Sequence, residues 1–383
     1  MPLCVYCGQE KPAEQFSREH VIPRAIGGNL RPYNPFTLNQ VCKRCNSICG
    51  AYIDGPFVKN WLTQNYRAEI AKKYVNINSN PILPLIYCGP VNGLVYKEKI
   101  CELWLGPTGD TIYHFHEPYP EEPDVPPMVG IPTYARNDQI DHGFAFLFVR
   151  SNNPVWHPAI LHSFNEQFKQ SVIFLGNGPT PQGGRFSDIP LELQGLHQRL
   201  KSMSGKEHSL SVKMNVSYGD RFIAKVALGL GAILLRDSFK TSSSADILRK
   251  FMWTKDFNER SNIPVRGSSF FRGNLKELQN FFHWPGGHLI CILRYQSSLS
   301  LFLSLYETQA ATIIISSEPE HWEGIIKEEG FVYVISPGLQ RYVGPKNIGT
   351  FIAHKIEGDF SDPDLSELEN EMSRNNGLPP FMI

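Results

Sequence analysis

The residues of this chain best suited to chemistry are two cysteine pairs and, between them, one acid–histidine pair. Cys4-Val-Tyr-Cys7 and Cys42-Lys-Arg-Cys45 each hold two thiols two residues apart. At that spacing a single tight turn aims both sulfurs at a tetrahedral ion. Four sulfur donors leave no open position, so the expected ion is zinc and its role structural. Between the knuckles runs Phe16-Ser-Arg-Glu19-His20-Val-Ile-Pro23, then the turn signature Gly27-Gly28-Asn29; Asn46 follows the last cysteine directly. Cys49, four residues beyond Cys45, is expected to be packed, and Cys88, Cys101 and Cys291 are scattered and read as buried thiols.

The elements that must position these residues read as strand, long loop, strand and helix, with Glu19-His20 on the first strand and Asn46 at the helix start. Helical spacing continues through Tyr52, Ile53, Val58, Trp61, Leu62, Tyr66 and Ile70, with Gly55-Pro56 as an early break or kink. So short a segment has few apolar residues to bury and needs a metal staple.

On Glu19-His20-Val-Ile-Pro23 and Cys42-Lys-Arg-Cys45-Asn46, set within two knuckles, the first fifth or so of the chain resembles the HNH endonuclease family with its ββα-metal fold. Phosphodiester hydrolysis needs an activated water, neutralisation of phosphate charge and stabilisation of the leaving oxygen. The resemblance implies that His20 deprotonates the water and that Glu19 and Asn46 hold a hard divalent ion, Mg2+ or Mn2+. A neutral histidine with an ordinary pKa near ~6.5 suits that task. Where the family has its middle asparagine this chain has Thr37; in the family that residue braces the loop orienting the base, a task a Thr37 hydroxyl or a shifted Asn39 could take, with Asn34 also near but out of register. Where many members have a second histidine there is Gly50, which cannot ligate. Arg24, Lys43, Arg44 and Lys59 are the expected phosphate contacts, and Asp54 is expected to cap a helix or turn.

The 383 residues carry 37 lysines and arginines against 37 acids, for a formal net charge of zero. Residues 1–75 hold ten of those bases and five of the acids, which leaves 27 against 32 in the remainder. A basic head on an acidic body fits a head that meets phosphates, which the resemblance implies to be those of DNA. The opening Met1-Pro2-Leu3-Cys4 leads us to expect no secretory signal, and the apolar run Val226–Leu235 is too short for a bilayer. The expected setting is cytoplasmic, with no membrane partner.

The fold class expected is α+β, a zinc-stapled head (1–75) joined by a Pro-rich linker (76–84) to a larger mixed body (85–356) with antiparallel strands, and an acidic flexible tail (357–383). Strands are expected at Gly93–Tyr96, Cys101–Leu105, Thr111–Phe115, Phe144–Val149, His288–Tyr295, Leu299–Tyr306, Thr312–Ser316 and Phe331–Ile335. Helices are expected at Ile189–Lys201, Asp220–Leu235 and Leu275–Phe282. Tyr113-His114-Phe115-His116-Glu117 could form a metal cluster, but it puts two histidines on one strand face, where exposure is the expectation. Ser268–Arg272 and His283–Gly287 are expected to pack, with base stacking as the alternative. The function expected is a DNA endonuclease of restriction or anti-phage defence, its body supplying specificity, assembly or control by an activating ligand or modified base; an oligomer stays open. The alternative is a non-catalytic zinc module binding nucleic acid or a partner.

Overall fold

The structure, a computed structural model, describes residues 1–74, 83–106, 108–118, 143–150, 157–168, 171–177, 186–204, 206, 217–270, 275, 278, 281–326, 329–356 and 360–374. It is mixed α and β, and it divides into two compact units. One combines Met1–Val58 with Asn215–Arg374, and the other takes in Lys59–Met214. The N-terminal segment therefore shares its unit with the C-terminal part of the chain.

In the first unit, strands β1 (Phe16–His20) and β2 (Thr37–Cys42) form an antiparallel hairpin, followed by helix α1 (Lys43–Cys49). Gly55-Pro56 does not end the helical path. A wide turn over Gly50–Asp54 absorbs the irregularity, and helix α2 (Gly55–Lys59) continues it. Proline is tolerated there because the first turn of a helix needs no donor from it.

The second unit opens with helix α3 (Trp61–Tyr74). Its five-stranded sheet has the order β3 (Ile86–Tyr96), β4 (Lys99–Leu105), β5 (Thr111–His116), β6 (Phe144–Phe148) and β7 (Val172–Leu175), antiparallel except for the β6–β7 pair. Alternate side chains feed two cores. Trp104, Ile112 and Leu147 join Ile160 and Phe164 of helix α4 (His157–Gln167); Leu103, Tyr113 and Phe146 join Leu200 of helix α5 (Gln194–Met203). Burial on both faces removes the need for polar alternation in β6, which reads as a continuous apolar run, and it also encloses polar residues of β4 and β5 such as Glu102 and His114.

The chain returns to the first unit with helices α6 (Ser217–Lys240), α7 (Ser243–Trp253) and α8 (Phe257–Ser261), and with an antiparallel sheet ordered β13 (Arg341–Asn347), β12 (Gly330–Ser336), β9 (His288–Tyr295), β10 (Ser298–Leu305), β11 (Gln309–Ser316) and β8 (Gly267–Ser268). Both α6 and α7 pack on β11.

The segment expected to be a flexible tail contains the helix Pro363–Arg374, with Leu365, Leu368 and Met372 buried. Its acidic composition hid an apolar stripe at helical spacing. Asp362 accepts the Leu365 N–H and pairs with Lys346 at 2.9 Å, fixing the helix start. Trp284 is buried against Phe351, the packed outcome expected for His283–Gly287. Most of the linker 76–84, of the loop after Glu117 and of the expected helix Leu275–Phe282 lies outside the described residues, as do Phe271 and Arg272. No helix among the described residues is long and apolar enough to cross a membrane.

Candidate active site

The four cysteines come together. One sulfur from each of Cys4, Cys7, Cys42 and Cys45 lies within 4.8 Å of all the others. A tetrahedron of ~2.3 Å Zn–S bonds needs sulfurs a little under 4 Å apart, so the set fits zinc with a small contraction. The Cys42 backbone N–H donates to Cys4 Sγ at 3.3 Å. A hydrogen bond from the Cys45 side chain and then this amide draw the Cys4 thiol down to about 4, favouring the thiolate that a metal takes. Cys49 is fully buried, and burial pushes its thiol up.

Helix α7 clamps the first knuckle. Arg249 Nε donates to the Val5 carbonyl at 2.8 Å and Trp253 Nε1 to the Tyr6 carbonyl at 2.7 Å. These bonds satisfy turn carbonyls that so small a hairpin cannot pair by itself.

His20 ends β1 directly across from Thr37. A register shift between Ser17 and Glu19 breaks the alternation of the strand, leaving Glu19 buried and His20 half-exposed. Arg24 Nε donates to His20 Nε2 at 3.3 Å, so that nitrogen carries a lone pair. Burial, then the guanidinium charges of Arg24 and Arg18, hold the imidazole below its ordinary pKa. His20 is therefore neutral at pH 7, the state in which it can accept a proton.

The loop between the strands is braced by Asn34. Its Nδ2 donates to the Gly28 carbonyl at 2.8 Å and its Oδ1 accepts the Phe36 N–H at 2.9 Å. Thr37 supports it by donating to the Asn34 carbonyl at 3.1 Å, whereas Asn39 is exposed. Glycine is required at position 28, where a Cβ would sit 1.7 Å from the Ile22 carbonyl oxygen.

Asn46, on α1, donates its amide to Ser17 Oγ and to the Arg18 carbonyl, each at 3.0 Å, docking the helix on β1. Its amide oxygen is the atom left to meet a ligand.

Glu19 is placed differently from the resemblance. The residue is 3% exposed, and its Oε1 lies 2.6 Å from Lys225 Nζ and accepts the Tyr6 hydroxyl at 3.1 Å. Lys225, fully buried on α6, also pairs with Asp54 at 3.0 Å and donates to the His20 carbonyl at 3.0 Å. Against the burial that opposes its charge, Asp54 and Glu19 keep the amine protonated. A divalent ion on Glu19 would face this fixed ammonium. The carboxylate therefore does not fit the metal-ligand role expected for it. Asp54 is likewise an ion-pair partner and not a cap.

Of the expected phosphate contacts, Arg24, Lys43 and Arg44 are exposed, as is Arg18; Lys59 is half-buried and belongs to the second unit. Lys43 and Arg44, with Lys11 and Trp253, line a cleft of about 670 Å³ beside the cysteines.

Residues 4–62 match the family model described as HNH endonuclease, the segment in which the two knuckles and the Glu19-His20 pair lie. Neither a curated protein nor a solved structure matches the chain.

Sequence reasoning missed Lys225 and the clamp from α7, which stand some 200 residues away from their partners. The signal for Lys225 was a single charge inside Phe222-Ile-Ala-Lys-Val-Ala-Leu228, an apolar helical run in which a lone lysine has to find a buried partner.

Proposed function

We propose that this protein is an endonuclease that hydrolyses phosphodiester bonds of DNA, with His20 as the general base. The observation that carries this reading is the state of His20: half-exposed, held below its ordinary pKa, and with an unprotonated Nε2 that accepts from Arg24 Nε at 3.3 Å at the end of a braced strand. Arg18, Arg24, Lys43 and Arg44 supply positive charge for the DNA backbone. Zinc on Cys4, Cys7, Cys42 and Cys45 holds the segment together. The family resemblance implies Mg2+ or Mn2+ for the chemistry. Of the two ligands expected for it, the Asn46 carbonyl oxygen fits, and Glu19 serves instead as an anchor for β1. The remainder of the chain supplies specificity or control, through an activating ligand or a modified base, in a restriction or anti-phage role.

Cleavage of supercoiled plasmid by the full chain, with and without Mg2+ or Mn2+, tests the proposal. His20→Ala is expected to lower the rate by roughly 100-fold or more, with zinc content and circular dichroism unchanged. Equal rates for the variant and the wild type would overturn it. The Lys225 contact to Glu19 favours a second reading, a non-catalytic zinc module that binds nucleic acid; that reading expects DNA binding with no cleavage in either protein.

A further inference from the structure

The cleft beside the cysteines carries chemistry that zinc binding does not use. It lies wholly within the first unit, between the first knuckle, the start of α1 and the end of α7. Trp253, the last residue of α7, comes from far outside the segment that the family model matches.

Three of the lining side chains are cations, Lys11, Lys43 and Arg44, against one acid, Glu14. Lys43 and Arg44 are exposed and Lys11 is half-buried. The side-chain charges of these three have no acid partner among the described residues. Uncompensated cations around a concavity raise the local concentration of anions.

Trp253 supplies a second, independent element. Its Nε1 donates to the Tyr6 carbonyl at 2.7 Å, which fixes the indole while the ring still borders the cleft. Among the described residues no other aromatic ring stacks on it. A fixed indole beside unpaired cations is the combination by which proteins hold unpaired nucleic acid, the ring taking a base and the cations its backbone. A volume of about 670 Å³ falls within the range of ligand sites and has room for a nucleotide. Gln9 and Gln15 on the wall offer amide donors and acceptors to a base edge.

A base inside a duplex is stacked on its neighbours and must leave them to stack on an indole. The hairpin sets where such a base stands relative to His20. Cys42, on the cleft wall, faces Phe16 across the two strands, and His20 faces Thr37 at their other end. At about 3.3 Å per residue the two ends stand roughly 13 Å apart, on the order of four steps of a DNA strand at about 3.4 Å each.

We propose that this cleft receives an unpaired base of the DNA substrate, stacked on Trp253 with its phosphates on Lys11, Lys43 and Arg44, on the order of four nucleotides from His20. The substrate class is DNA with an extrahelical or single-stranded nucleotide near the cut. The inference deepens the reading above and rests on the part of it that has this chain bind DNA.

The test measures binding of the full chain, carrying His20→Ala to keep the DNA whole, to a perfect duplex and to the same duplex with a single bulged thymine. The bulged duplex is expected to bind about tenfold more tightly, and Trp253→Leu to remove that preference with zinc content retained. Equal affinity for the two duplexes before Trp253 is replaced, or a preference that survives its replacement, overturns the proposal. Should the Trp253→Leu chain lose its zinc, photocrosslinking decides, with 5-iodouracil in place of the bulged thymine. An adduct on Trp253 supports the cleft; its absence sinks it. Plasmid cleavage by the wild type keeps the two readings apart. A protein that cuts plasmid but treats the duplexes alike loses only the cleft, and one that prefers the bulge through Trp253 yet never cuts loses only the nuclease. A chain that binds neither duplex loses both.

Discussion

Glu19 and His20 are neighbours in sequence with opposite environments, and the difference rests on one ammonium group. Lys225 takes the Glu19 carboxylate inward while its bond to the His20 carbonyl holds the end of β1 in place. Glu19 is thereby a positioning residue. Glu19→Gln removes one of the two carboxylates that compensate the buried Lys225 charge, and a loss of about 3 kcal/mol in folding stability is expected from urea denaturation. The Mg2+ concentration giving half-maximal cleavage should stay within twofold of the wild type. A tenfold rise in that concentration with little loss of stability would make Glu19 an ion ligand after all.

Between elements, the hairpin loop is tied to the large sheet through His288 at the start of β9. Its Nε2 donates to the Ile26 carbonyl at 2.8 Å, and its Nδ1 accepts the Tyr306 N–H at 3.2 Å. Both nitrogens are committed, so a further proton would have to break the second bond. Burial accordingly lowers His288 from 6.5 to about 4. The depressed value means that the unfolded chain takes up a proton before the folded one does. The stability contribution is complete above pH 6.5 and is lost as the pH falls toward 4. Between pH 7 and pH 5 this group is expected to cost about 2 kcal/mol. Denaturation midpoints at the two pH values, compared with those of His288→Gln, measure it; an equal pH dependence in both proteins would remove His288 as the cause.

At the scale of the molecule, the segment matched by the family model lies almost wholly in a unit that the chain completes only after residue 215. Val21 meets α6 where Gly229 leaves space, since a Cβ there would lie 2.6 Å from the valine side chain, and Phe36 packs edge-on against Tyr333 at 5.1 Å. With Arg249, Trp253 and Lys225 also supplied from the later sequence, residues 1–75 are expected not to fold alone even when zinc is present. A proton–nitrogen correlation spectrum of that fragment should show narrow amide dispersion. Sharp, dispersed peaks with cooperative melting would instead establish an independent domain.

The sequence by itself determined what is local. Two Cys-x2-Cys pairs need only a tight turn each to face one ion, and Glu19-His20 with Asn46 announced the hairpin and helix that lie within residues 4–62, the stretch matched by the HNH endonuclease family model. The strands β9 to β12 were legible because apolar runs between turns encode them directly. Tertiary structure alone decided what depends on residues far apart in the chain. No periodicity links Lys225 to Glu19, nothing in residues 16–46 distinguishes the bracing Asn34 from Asn39, and the burial of His114 and His116 follows from the helices that cover the second face of their sheet. A local pattern fixes which way a side chain points within its own element; what it meets there is set by the element that packs on top.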